Sequence, residues 1–465
     1  MPQYLMGIAA DLGRAAGDHP AHMTDLDAFA RKASGGALRR LGAGRSALDE
    51  IPALVRRLQT PGERVLLSDD VPKTAADVDL LTWVASLVGP ARLVTAGGPH
   101  GQLTLDEAAV QAAVAEVGAP GLVVSVGSGT ITDLGKVVAA RSGAPLLAVQ
   151  TAASVNGFSD PLSVLVIGGA KRTKPSSWPS ALVIDDRVIR AAPARLNRSG
   201  VGDAIAIWSA PADWYLACRL GLDGPFDDAV VRPVLDVVEQ LADPDPEVAQ
   251  RALVDGLTLG GLVIGIADST APLSGSEHLV SHILDMTAMA RGAEHDLHGA
   301  QVGAATVLCT ALWQEVRASC RVFDLRWSEL TYPDDLAERV LGTWAELDPS
   351  GRLGQECLSA VRRKAEAWEA ADRGSCDSGR AELLETLFGY VGDPVRSAET
   401  LRHWGAAVRF DELTPAVDRE QLAWTLLALP YMRDRLTLPD LLVMSGEWTP
   451  DLIERVLDRV DQRTA

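Results

Sequence analysis

The chain has 465 residues, 47% hydrophobic and 23% charged, with a formal net charge of −19. That length exceeds what one hydrophobic core usually serves, so two domains are expected, and the composition is that of an ordinary globular enzyme. So large an acidic excess argues against nucleic acid or an anionic membrane as partner.

Residues 1–36 are polar and Gly/Ala-rich and read as an extension with little core of its own; no basic segment precedes an apolar run there, so no signal peptide is expected. From 37 to 197 short apolar runs alternate with helical stretches. RVLLSDD (64–70), ARLVTAGG (91–98), GLVVSVGSGT (121–130) and APLLAVQTAAS (144–154) read as buried strands. Helical patterns follow the first three, which predicts βαβ units and a parallel sheet. SVLVIGG and SALVIDD then read as two further strands, forming a hairpin appended to that sheet. Beyond 197 the periodicity is helical, in segments such as AIAIWSAPADWYLACRL, EVAQRALVDGLTLGGLVIGIA and QLAWTLLALPYMRDRL. The expected organisation is therefore an α/β nucleotide-binding domain over 37–197 and an all-α domain over 198–465, with a ligand cleft expected where two such domains meet. Nine of the eleven tryptophans lie beyond residue 200, where they read as core. LTLGGLVIGIADS is too short an apolar run to span a bilayer. The five cysteines (Cys218, Cys309, Cys320, Cys357, Cys376) lack CxxC spacing and suit reduced thiols of a cytoplasmic protein.

The densest chemistry is in GSEHLVSHILDMTAMARGAEHDLHG, where four of the eight histidines fall: His278, His282, His295 and His298. His278 and His282, four apart, share a helix face. Neutral imidazole is a versatile metal ligand, and a carboxylate from elsewhere would complete a three-ligand site with an open position, the catalytic pattern. Asp203 in SGVGDA is a candidate for that carboxylate; alternatively it only complements a helix N-terminus. GSGTITDLGK (127–136) follows a strand and opens a helix, which suits phosphate binding but equally a plain glycine turn. QTAAS (150–154) ends a strand at the sheet edge where ligands bind in open α/β folds. Asp69 suits ribose hydroxyls or a helix cap near Pro72. KRTK (171–174) reads as a solvated turn.

Taken in order, GSGTITDLGK, TAAS followed by NG, SGVGDA, GSEHLVSH and LHGAQVGAATVL resemble the sn-glycerol-1-phosphate dehydrogenases, within the superfamily of iron-type alcohol dehydrogenases, glycerol dehydrogenase and dehydroquinate synthase. A late segment, YMRDRLTLPDLLVMSGEW (431–448), is similar to the RDRFT-type element of bacterial members. The resemblance implies a dehydroquinate synthase-like fold in which Asp203, His278 and His298 bind one divalent metal (zinc, nickel or iron), with His282 and Asn156 contacting substrate. It implies that Gly127, Ser128, Gly129, Thr130, Ile131, Thr132 and Asp133 hold NAD or NADP together with Thr151, Ala152, Ala153 and Ser154, with Asp160 close by. The implied activity is interconversion of dihydroxyacetone phosphate and sn-glycerol 1-phosphate, a step of phospholipid metabolism, by a homodimer. The alternatives are a sugar-phosphate cyclase, whose type usually has Glu where Asp203 stands, and a paralogue that binds without turnover. Three positions depart from the family pattern: Asn156 replaces an Asp, Asp160 a Ser and Gln150 a Pro. An acid at 160 beside dinucleotide phosphates is repulsive unless it turns to a ribose.

Overall fold

The computed structural model describes residues 19–97 and 103–464. They form two compact units: residues 19–97, 103–167, 171–200 and 232–269 group as one, and 168–170, 201–231 and 270–464 as the other. The expected boundary at 197/198 thus falls within the helix Ala194–Ala204, and the first unit takes back the long apolar helix Pro246–Ala267.

The first unit is built on a six-stranded parallel sheet of β1 (Arg40–Gly44), β2 (Arg64–Asp69), β3 (Arg92–Ala96), β4 (Leu122–Gly127), β5 (Leu146–Gln150) and β8 (Ala181–Asp185), in the order β1-β8-β5-β4-β2-β3. Alternation along the strands sends their side chains to opposite faces. Val65, Leu67 and Val123 meet the helices Glu107–Val117 and Gly129–Ser142 through Val110, Val117, Leu134 and Val138. Leu66, Val124 and Val126 meet the helices Ile51–Leu58 and Leu80–Val88 on the other face. Burial on both faces is why these strands read as continuous apolar runs. The helix after β2 and the helix after β4 pack on opposite faces while the strands are neighbours, which puts a topological switch point at their C-terminal ends, Asp69 and Gly127.

Two assignments along the chain need correction. SALVIDD is not half of a hairpin; as β8 it lies inside the parallel sheet between β1 and β5. The partner of SVLVIGG (β6, Leu162–Ile167) is the KRTK segment itself, strand β7 (Ala170–Pro175), so KRTK is an outer strand and not a turn. Gly168 and Gly169 between them have φ of +58° and +86°, the conformation a two-residue hairpin turn needs. The first 18 residues of the expected extension lie outside the described residues; the helix His19–Ala33 that follows buries Leu26, Phe29 and Ala30. Its Asp27 accepts the Leu41 amide at 2.7 Å and pairs with Arg40 at 3.0 Å, blunting the β1 edge.

The second unit is helical. At its centre the helix Ser276–Arg291 is buried at every position from Ser276 to Ala288, packed against the helix His298–Ser319. Trp313, Trp327, Trp344 and Trp368 are fully buried core residues. The last three satisfy their indole N–H on the carbonyls of Val322, Tyr431 and Leu330, each at 2.9 Å. Pro246–Ala267, in the first unit, is long and apolar enough to cross a membrane by composition alone, but 78% of its apolar window is buried in the fold.

Candidate functional site

A helix buried all round has no reason to carry charge unless the charge is partnered, yet Ser276–Arg291 buries Glu277, His278, Ser281, His282 and Asp285. His278 and His298 come from consecutive helices, and the third member, Asp203, sits near the end of Ala194–Ala204. The local sequence explains the approach. A Cβ on Gly202 would lie 2.0 Å from the Gly299 carbonyl oxygen and 3.0 Å from the Gly303 Cα, so only glycine lets the Asp203 helix touch the one that begins at His298.

Nε2 of His278 is 3.4 Å and Nε2 of His298 3.8 Å from Asp203 Oδ1, and one donor atom from each of the three residues lies within 4.8 Å of the others. Ligands held about 2.0–2.2 Å from one tetrahedral cation stand roughly 3.3–3.6 Å apart. One carboxylate and two imidazoles at this spacing suit a divalent metal and leave coordination positions for substrate or water. The outer nitrogens are engaged as a metal site requires. His278 Nδ1 donates to Glu277 Oε1 at 3.0 Å, and His298 Nδ1 donates to Ser281 Oγ at 2.7 Å, whose own hydroxyl donates to Gln301 Oε1 at 2.7 Å. Both rings are thereby set as Nδ1–H tautomers with the Nε2 lone pair toward Asp203. Burial alone would lower the His278 pKa, but Asp203 and Glu277 hold it above its ordinary value. Burial would likewise raise Glu277, yet His278 and Ser209 bring it below the usual carboxylate range. The pair of carboxylates around one imidazole is a demand for positive charge.

His282, 5% exposed, lies beside the trio, its ring 5.4 Å from that of His298 and 6.3 Å from that of His278. His295 stands apart, paired with Asp285 at 3.0 Å.

Asp213 caps the same helix from outside it, accepting the Ser276 amide and hydroxyl, each at 2.8 Å, and the Leu438 amide at 2.9 Å. Burial pushes its carboxyl from 3.8 to about 6. Between those values the folded chain keeps a proton that the unfolded chain has released, so stability falls as pH rises through the window, by about 3 kcal/mol in all. Asp213→Asn, neutral throughout, is therefore expected to gain on the wild type by about that amount between about pH 4 and pH 7 in urea unfolding. A difference that stays constant with pH would show that Asp213 does not titrate there.

The nucleotide-loop candidates lie in the first unit. Gly127 ends β4, Ser128 occupies the N-cap, and Ser128, Gly129 and Thr130 are accessible at the head of Gly129–Ser142, while Ile131 and Thr132 are buried. Thr151, Ala152, Ala153 and Ser154 are buried after β5, with the Ala153 amide donating to Asn197 Oδ1 at 3.0 Å, a contact that leaves no local pattern in the chain. Asp160 does not face outward. It is 2% exposed, pairs with Lys136 at 3.1 Å and accepts the Leu162 amide at 2.7 Å. Asp133 also pairs with Lys136, at 2.9 Å, and accepts the Val164 amide at 3.0 Å. Burial alone would lower the Lys136 pKa, but the two carboxylates hold it above its ordinary value. Asp160 thus shapes the loop from within, and the repulsion expected beside cofactor phosphates is met by a buried cation. Asn156 lies in this loop, its carbonyl packed on helix Pro246–Ala267 at Gly261, where a Cβ would lie 2.4 Å from it. Asp69 is not a helix cap. It accepts the Val71 amide at 3.0 Å and pairs with Lys73, while Asp79 caps the next helix through the Thr82 amide.

Residues 42–193 match the iron-containing alcohol dehydrogenase family. Glycerol-1-phosphate dehydrogenase [NAD(P)+] of Methanosarcina acetivorans is 31% identical over 284 residues, 59% of this chain and 77% of that one. The enzyme of that name from Hyperthermus butylicus is 34% identical over 266 residues, 55% of this chain and 73% of that one. The chain belongs to the glycerol-1-phosphate dehydrogenase family. Among solved structures, glycerol dehydrogenase from Schizosaccharomyces pombe superposes with a TM-score of 0.56 at 15% identity, covering 91% of this chain and 90% of that one. A probable glycerol dehydrogenase from Sinorhizobium meliloti gives 0.54 at 17% identity, covering 91% and 96%. The chain thus has the fold of these dehydrogenases.

Proposed function

We propose that this chain is a metal-dependent, NAD(P)-linked oxidoreductase interconverting sn-glycerol 1-phosphate and dihydroxyacetone phosphate, with zinc as the metal. The observation that carries the reading is the Asp203/His278/His298 trio, its imidazoles locked by Glu277 and Ser281, in a chain whose relatives are glycerol-1-phosphate dehydrogenases. When bound, the divalent cation supplies Lewis acidity toward the substrate oxygen at C2, and NAD(P) accepts or supplies the hydride. Asp203 and the two Nε2 atoms hold the cation. His282, buried beside His298, takes the hydroxyl proton in oxidation and returns it in reduction. Asn156 gives a substrate hydroxyl a hydrogen bond without adding charge. The amides of Ser128, Gly129 and Thr130, at the positive end of their helix, receive the cofactor pyrophosphate, and the switch point between β2 and β4 is where such a ligand is expected. Asp69 holds the Val71 amide and Lys73 through Oδ1, and its Oδ2 is the oxygen that would meet a ribose hydroxyl. A cytoplasmic homodimer is the proposed form.

The test is oxidation of NADH and of NADPH with dihydroxyacetone phosphate after zinc reconstitution. Turnover yielding the sn-1 enantiomer is expected, with unphosphorylated dihydroxyacetone far poorer. Failure with both nucleotides under every divalent metal would overturn the reading. Asn156→Ala is expected to raise KM for the substrate, because it removes that hydrogen bond; an unchanged KM would mean that position 156 does not meet it.

A further inference from the structure

The segment YMRDRLT (431–437), singled out in the sequence, holds none of the residues assigned above. In the structure its arginines converge on the N-terminus of the His278 helix. Arg433 Nη2 donates to the Ser274 carbonyl at 3.0 Å and to that of Gly275 at 3.4 Å. Arg435 Nη1 donates to the same Ser274 carbonyl at 2.6 Å, and its Nη2 to Thr270 Oγ1 at 3.0 Å. The loop so braced presents the Gly275 amide to Glu277 Oε1 at 2.6 Å, while the Ser209 hydroxyl reaches Oε2 at 2.8 Å. Glu277 is wholly buried, and its contacts with Gly275, Ser209 and His278 Nδ1 are all with groups that can donate. Three donors, one of them the His278 imidazole, favour the ionised form of this carboxyl group.

A carboxylate on the far nitrogen of a ligand imidazole does two things. It fixes the tautomer, and it pushes electron density to the near nitrogen. An amide in its place does the first alone. We propose that Glu277 is a positioning residue that sets metal affinity by its charge, held in place by Ser209 and by the loop that Arg433 and Arg435 brace. The inference rests on the reading of Asp203, His278 and His298 as metal ligands. With Asp203 it brings two negative charges to one divalent ion, one by direct ligation and one through His278. The RDRLT segment then acts on the metal centre through Ser274 and Gly275, although it contributes no ligand.

The experiment is titration of chelator-stripped protein with zinc against a chromophoric competitor, for the wild type, Glu277→Gln, Glu277→Ala and Ser209→Ala. Glu277→Gln keeps an acceptor for Nδ1–H and loses only the charge, so a loss of about ten-fold in zinc affinity is expected, rising to about a hundred-fold for Glu277→Ala. Ser209→Ala, which spares the helix, is expected to lose less than either. In cobalt-substituted protein the visible absorption bands of Glu277→Gln should shift from those of the wild type, a change that a packing defect elsewhere would not produce. Wild type and Glu277→Gln binding one equivalent of zinc with affinities within two-fold, and with superimposable cobalt spectra, would overturn the inference and leave the ligand assignment standing. Wild type that takes up no zinc would overturn the ligand assignment itself, and this inference with it.

Discussion

His278→Ala is expected to abolish tight metal binding and to lower kcat with dihydroxyacetone phosphate by roughly 10³-fold or more, because a Lewis acid is worth several kcal/mol at the transition state and each 1.4 kcal/mol is ten-fold in rate. The imidazole is nearly encased, between Asp203 at 3.4 Å and Glu277 at 3.0 Å, so its removal leaves two buried carboxylates facing a void. Neither carboxylate can take over as the missing nitrogen donor. Metal content and rate should therefore fall together, whereas the surrounding helices, packed through their own buried apolar residues, should keep their circular dichroism. Metal analysis on the purified variant beside NADH oxidation checks both. Full metal content with full rate would remove His278 from the site.

Lys136→Met is expected to be the most destabilising single change in the first unit. The ammonium is fully buried and gathers Asp133, Asp160 and the carbonyls of Gly157 and Leu162 around it. Taking away one partner of such a cluster leaves Asp160 charged and unsolvated, which costs about 3–5 kcal/mol. Because the Lys136 ammonium also holds the Gly157 carbonyl at 2.8 Å, the adjoining Asn156 should lose its fixed position, and KM for substrate should rise in whatever protein remains folded. The double variant Lys136→Met/Asp160→Ser removes the stranded charge and should recover part of the loss in urea unfolding. Additive effects of the two substitutions would show that the ion pair is not what holds this loop.

What the sequence reveals follows from how local each determinant is. GLVVSVGSGT reads correctly as strand, turn and helix because a strand buried on both faces is a continuous β-branched run and a glycine turn marks its end. The candidate cluster of Asp203, His278 and His298 is approachable through motif order, since His278 and His298 stand near the starts of two successive helices and Asp203 follows its own glycines. SVLVIGG pairs with KRTK and not with SALVIDD, and the signal for this is local: Gly168-Gly169 is a two-residue hairpin connection leading straight into KRTK. β1, RLGAG, has almost no strand character, and becomes one only through parallel pairing with β8 and the Asp27 contact. Pairings between residues distant in the chain leave no trace in a single sequence. Lys136 with Asp160, Ala153 with Asn197, and Arg433 with Ser274 are separated by 24, 44 and 159 positions. The partner of His278 is the exception, for Glu277 is its immediate neighbour, and a carboxylate adjoining a candidate ligand is a signal a reader can use.

The most direct test of the metal-dependent dehydrogenase is a reactivation titration. Chelator-stripped protein is given zinc in steps, and NADH oxidation with dihydroxyacetone phosphate is followed after each. The rate should rise linearly and break at one equivalent per chain, with no rise in Asp203→Asn or His278→Ala. Full activity in the stripped protein, with no metal found on analysis, would contradict it.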